Sequence, residues 1–545
     1  MHTPISSGEF LQLLQRCIPP GGWPSVLAVG NSGGPDSTCL LYLLSSLKQS
    51  KQHNMRLPFH LISLHVNHAL QASSDAMAEC AAQTARSLNI DHHTASIPWG
   101  TGPYPPLQEK SKPFERIARN ARYQTLFQVM TKYDARAIAY GHHADDQVET
   151  AAMRLAMGSG LIGAGAMRPV RRWGMGEQMP LAHFGPASMS RWIVRPLLTV
   201  PKDRILATCE KHGLQYVTDP TNFQPSVTIR NAIRHTLAQE QRKGSAAEPS
   251  SEAKAKATLR PEVMTAIEKL RARCPSLPYA EALRESVRLG GQYVEQLDTQ
   301  VTNYLSYCSL PSPPSTVLLN AESLHVIPDM ETRIALVRRI LRYCSPRLWG
   351  SIEAEAKAHR NSLERIVQYV WDTTSNPHMR TRFSSGSNVV WVPGVAEPSG
   401  VFRLRHTKFE PFPHVYAWRA QRAPPQAAHA VKLLVRNVTN LLVDHTTPEV
   451  QVLWDTRFLL TFHPEKMPQV VREALLAGGS DEQVVIQPTM MWYAPQVVWK
   501  RSDGTEEVLA DYMWDGFQQK YFTKREAIDG SSWVKMEFIR TLGAI

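Results

Sequence analysis

Between Val26 and Ala156 short apolar runs alternate with helical patterns, and this alternation limits the possible folds more than any other feature of the chain. Val26 to Gly30 reads as a buried strand, and Asp36 to Leu47 as the helix after it. Phe59 to Val66 is a second strand, backed by a helix over Ser73 to Leu88, and Ile90 to Ile97 is a third, weaker strand. Phe114 to Tyr133 is helical, with Phe114, Ile117, Ala118 and Ala121 on one face. Arg136 to Tyr140 is a fourth strand that leads into a helix from His143 to about Ala156. Strand and helix repeated in this way predict an α/β fold built on a parallel sheet with helices on both faces.

A chain of 545 residues exceeds what one core usually covers, so further domains are expected. Residues 1–240 form the expected α/β domain, ending in a Gly/Met/Arg-rich stretch, Trp192 to Pro196, and a helix from Pro201 to about His212. Residues 241–260 read as a linker or exposed insertion, being poor in apolar residues and rich in Ser, Ala, Glu and Lys. Residues 261–375 carry helical patterns, the longest from Ala280 to Tyr307, and residues 376–545 a mixed α/β region. There short strands such as Val389 to Val392 and Val431 to Val435 alternate with Pro-rich turns.

No run approaches 18 uninterrupted apolar residues, which argues against a membrane-spanning helix. Seven scattered cysteines with no C-x-x-C pair argue against a disulfide framework and a cysteine metal site, and point to an intracellular, reducing compartment. The net charge is +12, and residues 168–243 hold 12 basic against 5 acidic residues. A local basic surface of that kind is what binding to a phosphate backbone requires.

Three clusters carry chemistry. Ser32-Gly33-Gly34-Pro35-Asp36-Ser37 follows the first strand and opens a helix, where glycines and the helix N-terminus suit a phosphate. Such a loop can also be a plain strand-to-helix turn; the strand before it and the helix after it favour phosphate binding. The Lys-Ser/Thr of a Walker loop is missing, which disfavours GTPase-like hydrolysis. At the end of the fourth strand, Gly141-His142-His143-Ala144-Asp145-Asp146-Gln147-Val148-Glu149-Thr150 places Asp146 and Glu149 on one helical face. Such carboxylates can hold Mg2+ against a triphosphate or take a proton from an amine, or they can simply stabilise a helix start. In the third cluster Glu115, Arg119 and Arg122 share one helical face, which taken alone reads as a solvated ion-pair stripe.

Taken together these residues resemble the tRNA(Ile)-lysidine synthetases, ATP-dependent ligases of the PP-loop superfamily. The resemblance runs through S-G-G-x-D-S, E-x-x-A-R-x-x-R-Y (Glu115 to Tyr123) and G-H-H-x-D-D-Q-x-E-T. It continues through Arg154, the Gly158-x-Gly160-x-x-Gly163 stretch, Arg195-Pro-Leu-Leu198, Asp219-Pro-Thr-Asn222 and Arg230-Asn231-Ala-Ile-Arg234. These elements cover about residues 26 to 235. The C-terminal 300 residues offer no comparable match.

The resemblance implies a PP-loop ATP-binding domain, ATP and Mg2+ as cofactors, and free lysine and a CAU-anticodon tRNA(Ile) as partners. It implies ligation of lysine to carbon 2 of the wobble cytidine through an adenylated tRNA. Ser32, Gly33, Gly34, Pro35, Asp36 and Ser37 would meet the phosphates, and Asp36 and Asp146 would hold Mg2+. Glu149 would serve the lysine amine, with His142, Arg154, Arg195 and Arg230 as contacts to nucleotide and transition state. Arg119, Arg122, Arg171, Arg172, Arg230 and Arg234 would meet RNA. Length and insertions suit a eukaryotic or organellar member, with the mitochondrial matrix favoured over the cytoplasm on resemblance alone. Base thiolation by another PP-loop enzyme, or a non-catalytic RNA-binding role on this fold, are the competing readings. The missing C-x-x-C weighs against the first and the intact acidic cluster against the second.

Overall fold

A computed structural model describes residues 2–49, 59–69, 74–106, 114–174, 188, 190–218, 233–234, 261–351, 354, 360–372, 380–404, 414–425, 431–444, 447–477, 481–489, 493–515, 520–523 and 533–543. The expected linker at 241–260, the Asp219–Asn222 element and Arg230 lie outside these residues. The chain divides into two compact units, Met1–Trp173 with Ser190–Gln296, and Gly174–Met189 with Leu297–Ala544.

In the first unit, α1 (Ser7–Gln15) precedes β1 (Val26–Gly30), α2 (Pro35–Gln49), β2 (His60–Asn67), α3 (Ser74–Ser87) and β3 (Asp91–Ser96). Then follow α4 (Phe114–Lys132), β4 (Ala137–Ala139), α5 (Ala144–Ala156), α6 (Gly160–Ala164), β5 (Val170–Arg172), β6 (Trp192–Val194) and α7 (Lys202–Lys211). The sheet has the order β3-β2-β1-β4-β6-β5. Every pairing is parallel except β5 with β6, which is antiparallel. The expected α/β fold is therefore present. The sheet also gains β5 and β6, two three-residue strands too short to give a periodic signal.

Apolar spacing explains the packing. Leu27 and Val29 of β1 share a buried cluster with Cys39, Leu40, Leu43, Leu44 and Leu47 of α2, and with Ile205 and Cys209 of α7. Each buried leucine there contributes about 1.5–3 kcal/mol of transfer free energy. On α5, Val148, Ala151 and Ala152 meet Val263, Ile267 and Leu270 of the helix Pro261–Arg271, and Leu283 and Val287 of the helix Tyr279–Cys308. Residues up to Gln296 thus belong to the first unit. The expected boundary near residue 240 missed them because their apolar faces are completed by α5, more than a hundred residues earlier.

Among the described residues the second unit holds three antiparallel assemblies, built on the strands Val389–Ala396 with Val415–Arg422, Gln483–Pro488 with Pro495–Lys500, and Val450–Trp454 with Phe458–Phe462. The expected helical stretch 261–375 is broken by two strands, Ser309–Leu310 and Val317–Asn320, because Pro311, Pro313 and Pro314 cannot continue a helix. Residues 431–434 form a helical turn instead of the expected strand Val431 to Val435; Leu433 is left exposed, so no buried face selects a strand there.

Asp455 organises a buried charge cluster in this unit. It accepts from Arg422 Nε at 2.8 Å and from Arg457 Nη2 at 2.5 Å, and all three side chains are nearly inaccessible. Arg540 donates to the carbonyls of Arg342, Ser345 and Arg347, and Arg457 to that of Cys344, so cations sit at the C-terminus of the helix Met330–Cys344. Burial, with Arg457 close by, pulls the Arg540 guanidinium down to about 9. Asp455→Asn, which keeps the side-chain size but leaves the buried arginines uncompensated, is expected to destabilise this unit by about 3–5 kcal/mol. Denaturant unfolding of the variant checks this, and a midpoint equal to wild type would show that the carbonyls alone hold the arginines.

Candidate active site

β1 and β4 are neighbours in the sheet, and the strand order reverses around them, the position where open parallel sheets bind ligands beyond the carboxyl ends. The Ser32–Ser37 loop leaves β1 there, and Gly141–His143 leaves β4. Two glycines allow the loops their close approach. Gly33 has φ +77°, and a Cβ on it would stand 2.7 Å from the Met77 carbonyl oxygen. A Cβ on Gly141 would stand 2.7 Å from the Asp36 carbonyl oxygen.

The loop is held from within. Ser32 N–H donates to Ser37 Oγ (3.1 Å), Gly33 N–H to Asn31 Oδ1 (3.0 Å) and Gly34 N–H to Ser32 Oγ (3.4 Å). Pro35 starts α2, where its missing N–H costs nothing, and Asp36 adds an acidic residue to the first turn.

α5 starts with a capping box. His143 Nδ1 accepts from the Asp145 N–H, and Asp146 Oδ2 accepts from the His143 N–H at 3.1 Å. With Nδ1 accepting, neutral His143 carries its proton on Nε2, which lies 3.7 Å from Asp36 Oδ1 and 3.5 Å from Asp146 Oδ2. His142 is fixed similarly: Arg195, buried and bound to the Arg168 carbonyl at 3.0 Å, donates Nε–H to His142 Nδ1 at 3.2 Å.

Four carboxylates converge on this point, each with a cation. Lys202 Nζ stands 2.5 Å from Asp36 Oδ1. Arg284, from the helix Tyr279–Cys308, donates to Asp145 Oδ1 at 2.6 Å, and Asp145 Oδ2 accepts the Lys202 N–H at 3.0 Å. Arg234 spans Asp146 (2.8 Å to Oδ1) and the buried Glu149. Burial opposes ionisation of Asp146, but the neighbouring His143 and His142 rings, the Arg234 guanidinium and the His143 N–H outweigh it and hold the carboxyl at about 2. Its stabilising contribution is therefore complete above the ordinary carboxylate range and is lost as the pH falls toward 2. Burial would likewise lower Arg234, but Glu149 and Asp146 outweigh it and raise its pKa.

Asp36, His142, Asp146, Glu149, Arg195 and Arg234 thus stand in one place. Elsewhere, Arg154 donates to the Ala166 carbonyl, and Arg172 stacks over the Trp192 ring at 4.4 Å, where burial lowers it to about 10. Arg171 lies beside it on β5, half-buried, and on α4 Arg119 is half-buried and Arg122 exposed. Sequence reading missed Arg284, Asn31 and the place of Lys202, which it counted with the basic segment. Asn31 alone had a local signal, being a polar residue between a buried strand and the glycines. Among the described residues no group of three His, Cys, Asp or Glu side chains is arranged to hold a metal, no helix is long and apolar enough to cross a membrane, and all seven cysteines are free.

Residues 8–241 match the model of the PP-loop domain family, in keeping with the sheet order and the loop at the end of β1. Within that class the segment is similar to tRNA(Ile)-lysidine synthases. It is 35% identical over 214 residues to that of Bacillus subtilis, covering 39% of this chain and 40% of the relative. It is 34% identical over 243 residues to that of a Bradyrhizobium species, covering 44% and 59%. The match thus spans roughly half the length of these curated relatives. A U34-tRNA thiolase from Methanococcus maripaludis, with its [4Fe-4S] cluster, aligns at 18% identity and a TM-score of 0.32, over 48% of this chain and 79% of that one.

Proposed function

We propose that this chain ligates lysine to carbon 2 of the wobble cytidine of a CAU-anticodon tRNA(Ile). The observation that carries the reading is the PP-loop at the end of β1 facing the Asp146–Arg234–Glu149 group at the start of α5, in a segment similar to lysidine synthases. In the first step the cytosine oxygen attacks the α-phosphorus of ATP and pyrophosphate leaves. In the second, the ε-amine of lysine attacks carbon 2, the oxygen departs with AMP, and the amine gives up a proton.

The residues suit both steps. The loop and the start of α2 offer N–H groups and partial positive charge to the phosphates, and Lys202 adds a full charge beside Asp36. One guanidinium, Arg234, bridges two carboxylates, Asp146 and the buried Glu149, and a carboxylate is the group that a lysine ammonium requires. His143, with Nε2–H facing Asp36 and Asp146, ties the two regions together.

Mg2+ takes one or two carboxylates and fills its shell with water and phosphate oxygens, and when bound it would neutralise phosphate charge. Asp36 fits that demand, being about one-third exposed beside the loop. Asp146 fits it poorly, since Arg234 and the His143 N–H already occupy its two oxygens.

Mass spectrometry of an unmodified tRNA(Ile) transcript incubated with the protein, ATP, Mg2+ and lysine tests the proposal. The expected result is a gain of one lysine less one water on the anticodon cytidine. A cytidine left unmodified, or a base that gains sulfur, would overturn it.

A further inference from the structure

We propose that Asn31 is a positioning residue for ATP, its side chain holding the Ser32–Ser37 loop in the shape that receives the triphosphate. This rests on the ATP use proposed above, but not on the identity of the RNA.

Asn31 is the first residue after β1 and is 2% exposed. Every hydrogen-bonding position of its amide is used. Nδ2 donates to Ser63 Oγ and to the Ala81 carbonyl, each at 3.2 Å, which anchors it to β2 and α3. Oδ1 accepts the Gly33 N–H at 3.0 Å and lies 3.2 Å from the Ser37 hydroxyl. That hydroxyl is also 3.0 Å from the Gly34 carbonyl, so its single proton is shared between two acceptors of the same turn. The Asn31 backbone is fixed too, its N–H on the Leu64 carbonyl and its carbonyl accepting from His65 Nδ1, both at 2.8 Å.

Two donors pointing into the protein and one oxygen pointing at the loop can be supplied by an amide, not by a carboxylate or hydroxyl of the same reach. Asn31 thereby turns the Gly33 N–H inward, and the Val217 N–H occupies the Gly33 carbonyl at 2.9 Å. Gly33 serves the turn, the Gly34 N–H is engaged by Ser32 Oγ, and the N–H groups that would meet phosphates are those of Asp36 and Ser37 in the first turn of α2. A loop fixed before ATP arrives loses less freedom on binding, so the effect of Asn31 falls on nucleotide affinity.

Calorimetric titration of the full chain with a non-hydrolysable ATP analogue tests this, using Asn31→Ala and Ser63→Ala. The alanine at 31 removes the acceptor for Gly33 and Ser37, and is expected to weaken binding about tenfold or more. The KM for lysine should stay near wild type, although thermal stability falls because the buried partners of the amide lose their hydrogen bonds. Ser63→Ala removes only one anchor behind Asn31 and should weaken binding about threefold. Should Asn31→Ala fail to fold, the Ser63 variant decides alone. Binding within twofold of wild type in the folded variants, or a loss that extends equally to lysine, would overturn the assignment. A wild-type protein that binds no ATP analogue would instead reject the ATP reading itself.

Discussion

Asp36→Ala is expected to reduce tRNA-dependent pyrophosphate release about a thousandfold, the scale on which a preorganised electrostatic contact acts in a reaction that builds charge. The carboxylate stands at the start of α2, 2.5 Å from Lys202 Nζ and 3.7 Å from His143 Nε2, so its loss unsettles both of these groups together. Stability should change little, since the side chain is about one-third exposed and exposed pairs of this kind contribute about 0–1 kcal/mol. Affinity for tRNA should also persist, because Asp36 adds negative charge and cannot itself attract a phosphate backbone. Filter binding of tRNA and a pyrophosphate-release assay on the same preparation separate the two effects. Near-normal release from a folded variant would remove Asp36 from the mechanism.

What the sequence disclosed, and what it hid, follows from where each signal resides. β1 and β2 were legible because each is an apolar run buried along most of its length, and α2 because a proline and an acidic residue mark its first turn. The loop and the α5 carboxylates were legible because each group is contiguous in sequence. Contacts made at long range were not. Lys202 looked like one of several basic residues, yet its ammonium meets Asp36, 166 positions earlier. Arg284 sits on an amphipathic helix with nothing local to set it apart, yet it meets Asp145, 139 positions earlier. Arg172 counted toward a basic surface, but desolvation over Trp192 gives it a packing role that net charge cannot reveal. In the second unit the strands are short and find partners far along the chain, as Val317–Asn320 does with Val415–Arg422, so local pattern gave only their general character.

The half-reactions should come apart at Glu149. A lysine amine with an ordinary pKa near 10.4 is almost wholly protonated at neutral pH, so a group must bind it as a cation and let it lose a proton before it attacks. Glu149 is buried at the first turns of α5 and shares Arg234 with Asp146. Glu149→Gln keeps the shape and one acceptor oxygen for Arg234 but removes the negative charge of Glu149. Adenylation, which depends on the loop and Asp36, should proceed within about threefold of wild type, while lysine transfer slows about a hundredfold, the range of a lost general-base contribution. Asp146→Asn acts differently. Asp146 accepts the His143 N–H and an Arg234 N–H, so replacing it disturbs the cap of α5 and the His143 ring that faces Asp36. Both steps should then fall together. A single-turnover experiment that follows pyrophosphate and lysine incorporation separately resolves the two variants. If Glu149→Gln loses both products equally, the carboxylate serves the phosphate side, and the lysine ammonium must be held elsewhere.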